Sequence, residues 1–297
     1  MQIDALKTLA LRHADQARAG YEPVATGVAG FSIIRTRQPT VLRPQIYQPV
    51  FCLVLQGTKE LYSGDRKVAF GAMQSLLVTV DLPALTRIVK ASPAEPYIAL
   101  ALGLDAALLA EMADLVPEHT EAGGPGFGMG QADGAILDAM GRMAALIGRP
   151  EAAGVLEPLI RREIHYWLMT SSHAPMLRRI VSADGNGARI ARAIGTIRRD
   201  FAARLPVDDL ARAAGMSLSA FHAHFRIMTA TTPLQFQKSL RLIEARRLLL
   251  AGGHSVSQAA FAVGYESPTQ FSRDFSRRFG IAPSGVARAE SGGAEAA

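Results

Sequence analysis

A skeleton of serine, two phenylalanines and a proline occurs twice in the last third of this 297-residue chain. Ser217 falls on Ser267, Phe221 on Phe271, Phe225 on Phe275 and Pro233 on Pro283, each pair 50 positions apart. Phenylalanines four residues apart share one face of a helix. Ahead of each stripe stands Ala-x-x-x-Gly, Ala211 to Gly215 and Ala260 to Gly264. The small residue lets a neighbouring helix come close, and the glycine supplies a tight turn. A capping serine follows, and in the second copy Pro268 takes the favoured first helical position. Short helix, glycine turn, capped helix is the order of a helix-turn-helix unit. Between the copies, Thr232 caps and Pro233 begins a helix that Gly252-Gly253 ends. A rod from Pro233 to Ala251 spans roughly 28 Å, close to the ~34 Å of one DNA turn. Two recognition helices held by such a rod can enter successive major grooves.

Charge follows the same division. Residues 186–288 hold 15 Lys+Arg against 6 Asp+Glu, whereas residues 1–185 hold 17 against 18. The positive charge therefore belongs almost wholly to the helical region, which points to a polyanion-binding domain, with a solvated basic face as the alternative that charge alone leaves open. Set beside the helix-turn-helix order, the expected polyanion is double-stranded DNA. The phenylalanine stripes fix which residues look outward. In the first copy these are Ser219, Ala223 and Arg226, with His222 at the flank. In the second they are Thr269, Gln270, Arg273, Ser276 and Arg277. Arginine pairs bidentately with guanine and glutamine with adenine, so the second helix is the better equipped reader. Lys238, Arg241 and the capping serines Ser217 and Ser267 are expected to hold phosphates. His224 is expected to pack or to bond between helices.

The first 185 residues read differently. Met1 to Gly20 has helical texture. From about Pro23 to Leu104, short apolar runs such as "FCLVLQG", "KVAF", "SLLVTV" and "YIALALGL" alternate with turn signals. About seven strands at this spacing suggest a barrel or double-sheet jelly roll. Asp105 caps a helix over "AALLAEMADL", and "GGPGFGMG" reads as a surface loop. Helices follow near Asp133–Ile147 and Glu157–Thr170, and "SADGNGAR", Ser182 to Arg189, reads as a linker.

With these motifs in place, residues 189–288 resemble the paired helix-turn-helix domain of the AraC/XylS transcription regulators. The segment "AAFAVGYESPTQFSRDFSRRFGIAPS" carries the likeness across that family's signature. "MSLSAFHAHFRIMTATTPLQFQKSLRLIEARRLLL" resembles the branch with Phe-His-x-His-Phe in its first recognition helix. "FCLVLQGTKELYSGDRKVAFGAMQSLLVTVDLPA" resembles the cupin-like N-terminal domain of that branch. Many family members carry arginine where Ala223 stands. The resemblance implies an α+β protein: a cupin-like barrel with trailing helices, residues 1–185, then an all-α domain of two helix-turn-helix units, residues 186–288. Residues 289–297 are expected to form a disordered tail. The barrel would sense a small-molecule effector or mediate homodimerisation, and RNA polymerase is a further partner left open.

The rival reading is a barrel enzyme or ligand carrier with a basic helical appendage. A cupin-type metal centre needs converging imidazoles, and no histidine lies between Ala14 and Glu118. No metal or cofactor is expected. Cys52, the single cysteine, excludes an intramolecular disulfide. Two readings of it stay open, a small buried hydrophobe and a sensor thiol. No apolar run approaches the ~20 residues of a membrane helix, and nothing resembles a secretory signal. A cytoplasmic setting is expected.

Overall fold

The computed structural model describes residues 3–17, 20–113, 115, 125–182 and 185–286, so the expected tail at 289–297 lies outside the described residues. Helix α1 (Ile3–Gln16) buries Leu6, Ala10 and Ala14 along one stripe. Nine strands follow: β1 (Val24–Ala25), β2 (Phe31–Thr36), β3 (Arg43–Tyr47), β4 (Val50–Gln56), β5 (Thr58–Ser63), β6 (Arg66–Gly71), β7 (Gln74–Val78), β8 (Leu82–Lys90) and β9 (Tyr97–Gly103). After α2 (Ala106–Ala113) comes a tenth, β10 (Phe127–Gln131), then α3 (Gly134–Ala144), α4 (Pro150–Thr170) and α5 (Ala174–Val181). The strands form two antiparallel sheets, ordered β1-β2-β9-β4-β7-β10 and β3-β8-β5-β6. Sequence reading found about seven of the ten, because β1 and β3 ("RPQIY") carry no continuous apolar run.

The continuous runs belong to strands buried on both faces. Along β4, Phe51, Leu53 and Leu55 join a core with α1, α3 and α4, while Cys52 and Val54 face the second sheet. Strand β9 divides in the same way, with Ile98, Leu100 and Leu102 on the helical side and Tyr97, Ala99 and Ala101 inside. The helices after the barrel are thus the lid of its larger sheet.

One expectation is corrected here. "GGPGFGMG" is not simply a surface loop, because Phe127–Gln131 is an edge strand paired with β7. Its glycines serve close approach. A Cβ on Gly130 would lie 2.6 Å from His173 Nε2, and one on Gly128 would meet Met176 Sδ at 3.3 Å. The linker is also shorter than expected. α6 (Asn186–Arg199) already begins inside it, and a Cβ on Gly187 would come within 2.3 Å of the Arg179 carbonyl oxygen.

Five further helices complete the chain: α7 (Val207–Ala213), α8 (Leu218–Thr229), α9 (Pro233–Ala251), α10 (Val256–Ala262) and α11 (Pro268–Phe279). The rod has the bounds expected of it, with the Thr232 side chain accepting from the Gln235 N–H. Two cores flank it. One joins α6, α7 and α8 to α9 through Phe221, Phe225 and Phe236, and the other joins α10 and α11 through Phe271, Phe275 and Tyr265.

Two buried histidines tie the lid helices to the barrel. His165 Nδ1 donates to the Arg161 carbonyl while its Nε2 accepts the Asp105 N–H at 2.8 Å, which fixes a neutral tautomer. His173 Nε2 lies 2.8 Å from Ser75 Oγ, and burial pulls its pKa down to about 4. The folded state therefore refuses a proton that the unfolded state accepts at about pH 6.5. Stability should fall as pH drops through the window from about 6.5 to about 4. Urea unfolding at several pH values should show that slope, and His173→Gln should flatten it. An unchanged slope in the variant would remove His173 as its source.

Candidate DNA interface

Each recognition helix is set by three local devices. Gly215 (φ +62°) and Gly264 (φ +85°) make the turns from α7 and α10 in left-handed backbone, as the spacing predicts. At Gly264 space matters as well, since a Cβ there would lie 2.0 Å from the Ala202 carbonyl oxygen. Ser217 and Ser267 cap α8 and α11 by accepting from the N–H groups of Ala220 and Gln270. The phenylalanines then bury one face completely, Phe221, Phe225, Phe271 and Phe275 all being at 0% exposure.

What remains outward agrees with the helical-wheel reading. Ser219, His222, Ala223 and Arg226 are exposed on α8, and Thr269, Gln270, Arg273 and Arg277 on α11. Thr269, Arg273, Ser276 and Arg277 line an open groove of about 690 Å³ together with Val256 and Ser257 of α10. Two arginines and two hydroxyls along one concave face can take phosphate oxygens or base edges. Arg277 keeps only a distant acid, Asp274, at 3.8 Å. His224 bonds between helices, its Nε2 lying 3.0 Å from the Asn186 amide.

Three residues hold partners that sequence reasoning did not foresee. Lys238 places its ammonium 2.6 Å from Asp274, a carboxylate buried beneath α11. That pair joins α9 to the second unit, a task that the reading of Lys238 as a phosphate contact did not include. Arg241 donates to the carbonyls of Phe201, Ala202, Ala203 and Gly264. It clamps the α6–α7 loop to the second turn, a structural task beyond the phosphate contact expected of it. Arg226 reaches Asp65, 2.9 Å away on the β5–β6 turn of the barrel.

That ion pair marks the seam between the two halves. The Thr229 carbonyl accepts from Ser63 Oγ, the Ala230 carbonyl from the Asp65 N–H, and the Met228 carbonyl from the Gly126 N–H at 2.9 Å. Ala230 caps α8 in left-handed backbone at φ +58° and buries its methyl in the barrel core. In the second copy Gly280 (φ +72°), 50 residues on, takes the same position. Alanine where the repeat calls for glycine is the sequence signal that could have revealed the seam. In exchange, Val80 and Ile46 of the barrel pack into the core of the first unit. The second unit's core contains no barrel residue among those described.

Capped helices with polar outer faces, placed at both ends of a rigid rod, define the DNA-binding part of a transcription regulator. A family model described as "AraC-type transcriptional regulator N-terminus" matches residues 27–176, and a "Helix-turn-helix domain" model matches residues 210–289. The chain belongs to the AraC-type transcriptional regulators. It is 31% identical over 144 residues to the HTH-type transcriptional activator RhaS of Salmonella agona, covering 46% of this chain and 50% of that one. The RhaS of Salmonella schwarzengrund is 31% identical over 101 residues, 34% of this chain and 36% of its own. The chain thus spans half or less of the length of these relatives. ToxT from Vibrio cholerae shares the fold, with a TM-score of 0.57 at 11% identity over 86% of this chain and 96% of its own. A ToxT structure with a bound unsaturated fatty acid aligns over 85% of this chain and 92% of its own, with a TM-score of 0.53 at 10% identity.

Two variants separate docking from charge. Gly64 sits at φ +58°, and a Cβ there would lie 1.8 Å from the Ala230 carbonyl oxygen. Gly64→Ala should therefore open the seam, since the backbone strain alone costs roughly 1 kcal/mol before the collision is counted. Amide exchange at Asp65 and Gly126 should accelerate. Asp65→Ala removes only an exposed ion pair and should leave that exchange nearly unchanged. Equal protection in wild type and Gly64→Ala would show that the turn does not hold the halves together.

For Lys238, Lys238→Ala leaves the buried Asp274 carboxylate with only the Tyr265 hydroxyl and the distant Arg277, and should cost about 1–3 kcal/mol in thermal or denaturant unfolding. A variant as stable as wild type would show that the pair does not hold α11 in place.

Proposed function

We infer that this chain is a sequence-specific regulator that reads double-stranded DNA with α11 and, in concert, with α8, under the control of the barrel. The observation that carries it is the pair of capped, Phe-anchored helices at the ends of α9, the second presenting Thr269, Gln270, Arg273 and Arg277 without obstruction. Ser217, Ser219, His222 and Arg226 supply the first unit's contacts. On this reading residues 1–185 form the regulatory half and residues 186–288 the DNA-binding half. The fatty acid held by ToxT supports a small-molecule effector for the barrel. Cys52 serves as packing: it is 8% exposed, and burial pushes its thiol up to about 11, well away from the thiolate a sensor requires. No helix among the described residues is long and apolar enough to cross a membrane. Among the described residues no three His, Cys, Asp or Glu side chains converge as a metal site would need.

Sequencing the genomic fragments retained by the purified full chain identifies the operator. On that site Arg273→Ala should cost about 1–3 kcal/mol and relax preference at one or two base pairs. Affinity for scrambled duplex should stay near wild type. If Arg273→Ala weakens both duplexes equally, the arginine holds phosphate only and α11 is not the reader.

A further inference from the structure

The space between the two sheets contains a buried cation with no acid beside it. Lys59, on β5, is 7% exposed. Among the described residues no carboxylate pairs with it, and its ammonium instead lies 5.5 Å from the ring centroids of both Tyr21 and Tyr47. It lines a cavity of about 340 Å³ together with Gln45, Tyr47 and Cys52. Two further polar atoms on that lining, the Tyr47 hydroxyl and Gln45 Oε1, are buried without a hydrogen-bond partner among the described residues. The phenol also interacts with the Lys59 ammonium, which leaves its hydroxyl short of full hydrogen-bond geometry. Buried polar groups are normally satisfied, and a buried charge normally has a counter-ion. Here a cation, a phenol and an amide end are left over in one place. That place is large enough for a small organic molecule.

We propose that this cavity binds a small organic carboxylate that also carries a hydrogen-bond donor, such as a hydroxy acid. The carboxylate would sit against the Lys59 ammonium and accept from the Tyr47 hydroxyl. The ligand's own hydroxyl would donate to Gln45 Oε1. A plain aliphatic acid satisfies the first two groups and leaves the third, so the amide selects for the donor. Burial works against the charge on Lys59, while the surrounding phenols of Tyr47, Tyr21 and Tyr97 favour it.

The position of the cavity gives the ligand a route to DNA. Gln45 and Tyr47 are two apart on β3 and share its inner face. Ile46 between them packs into the core of the first helix-turn-helix unit, and Arg198 of α6 borders the cavity itself. A strand with the ligand on one face and the DNA-binding core on the other is a contiguous physical link between the two sites. This inference rests on the regulator reading for its consequence, though not for the binding event.

Isothermal titration and thermal shift of the full chain with 2-hydroxyhexanoate, its neutral amide and unhydroxylated hexanoate test it. The hydroxy acid should bind at least about tenfold more tightly than its amide, with hexanoate between them. Lys59→Met should abolish the preference for acid over amide. Equal affinity for acid and amide, a preference that survives Lys59→Met, or no binding of either overturns the proposal. Should Lys59→Met not fold, Tyr47→Phe decides. It removes one oxygen that has no hydrogen-bond partner among the described residues, and undiminished acid binding by it also overturns the proposal. Gel shifts of the ligand-free chain keep the two readings apart. Lost operator binding with acid binding intact would sink the regulator reading alone, and the reverse would sink this one alone.

Discussion

The arrangement depends on one carbonyl. Ala230 ends α8 in left-handed backbone, and its oxygen meets the β5–β6 turn where only a glycine, Gly64, leaves room. Alanine adopts that conformation at a cost of roughly 1 kcal/mol, and the methyl that makes it unfavourable is the one buried in the barrel core. The strain and the docking are therefore two sides of one contact. If the barrel is withdrawn, the cap keeps the strain and loses the burial. The end of the first recognition helix is in this way tied to the barrel by its own backbone.

The second unit is held by other means. Arg241 binds four carbonyls drawn from the α6–α7 loop and the Gly264 turn, and Gln237 Nε2 binds two of the same loop, those of Phe201 and Ala203. Lys238, in the same stretch of α9, is paired with Asp274. Three polar residues within two turns of the rod thus organise the loop before α7, the turn before α11, and α11 itself. Such polar groups, once satisfied, fix geometry more sharply than apolar contact can. The spacing between the two reading helices is accordingly set by α9 and its clamps, with β3 and β8 of the barrel lying against α9.

Much of this was legible in the sequence, for definite reasons. Glycine turns, serine caps, the Phe stripes and the bounds of α9 follow from local rules that act within four or five residues, so Ser217, Ser267 and the outward set on α11 were found where expected. Rules of that range cannot see partners distant in sequence. Lys238 and Arg241 read as free cations because their partners, Asp274 and the carbonyls of residues 201–203 and 264, lie 23 to 40 positions away. The pairing of Arg226 with Asp65 was out of reach in the same way, the two being 161 positions apart. The strand hidden in "GGPGFGMG" failed for a related reason. Glycine signals a turn locally, whereas here it makes room for His173 and Met176 on a later helix.

The two copies therefore differ in more than their reading residues. α8 ends in a contact that the barrel owns, and Ile46 and Val80 place barrel atoms inside the core that supports it. α11 rests on a core built entirely from its own domain among the described residues. A change inside the barrel can reach α8 through β3 or through the Gly64 turn, but it can reach α11 only by moving α9 as a body. The physical expectation is an asymmetric device. The second unit offers a constant grip on DNA, and the first is the variable one, engaged or withheld according to the state of the barrel. The residues agree with that division. The constant unit carries arginine and glutamine on its open face, while the first carries Ala223 at its centre and has its one outward arginine, Arg226, already bound to Asp65.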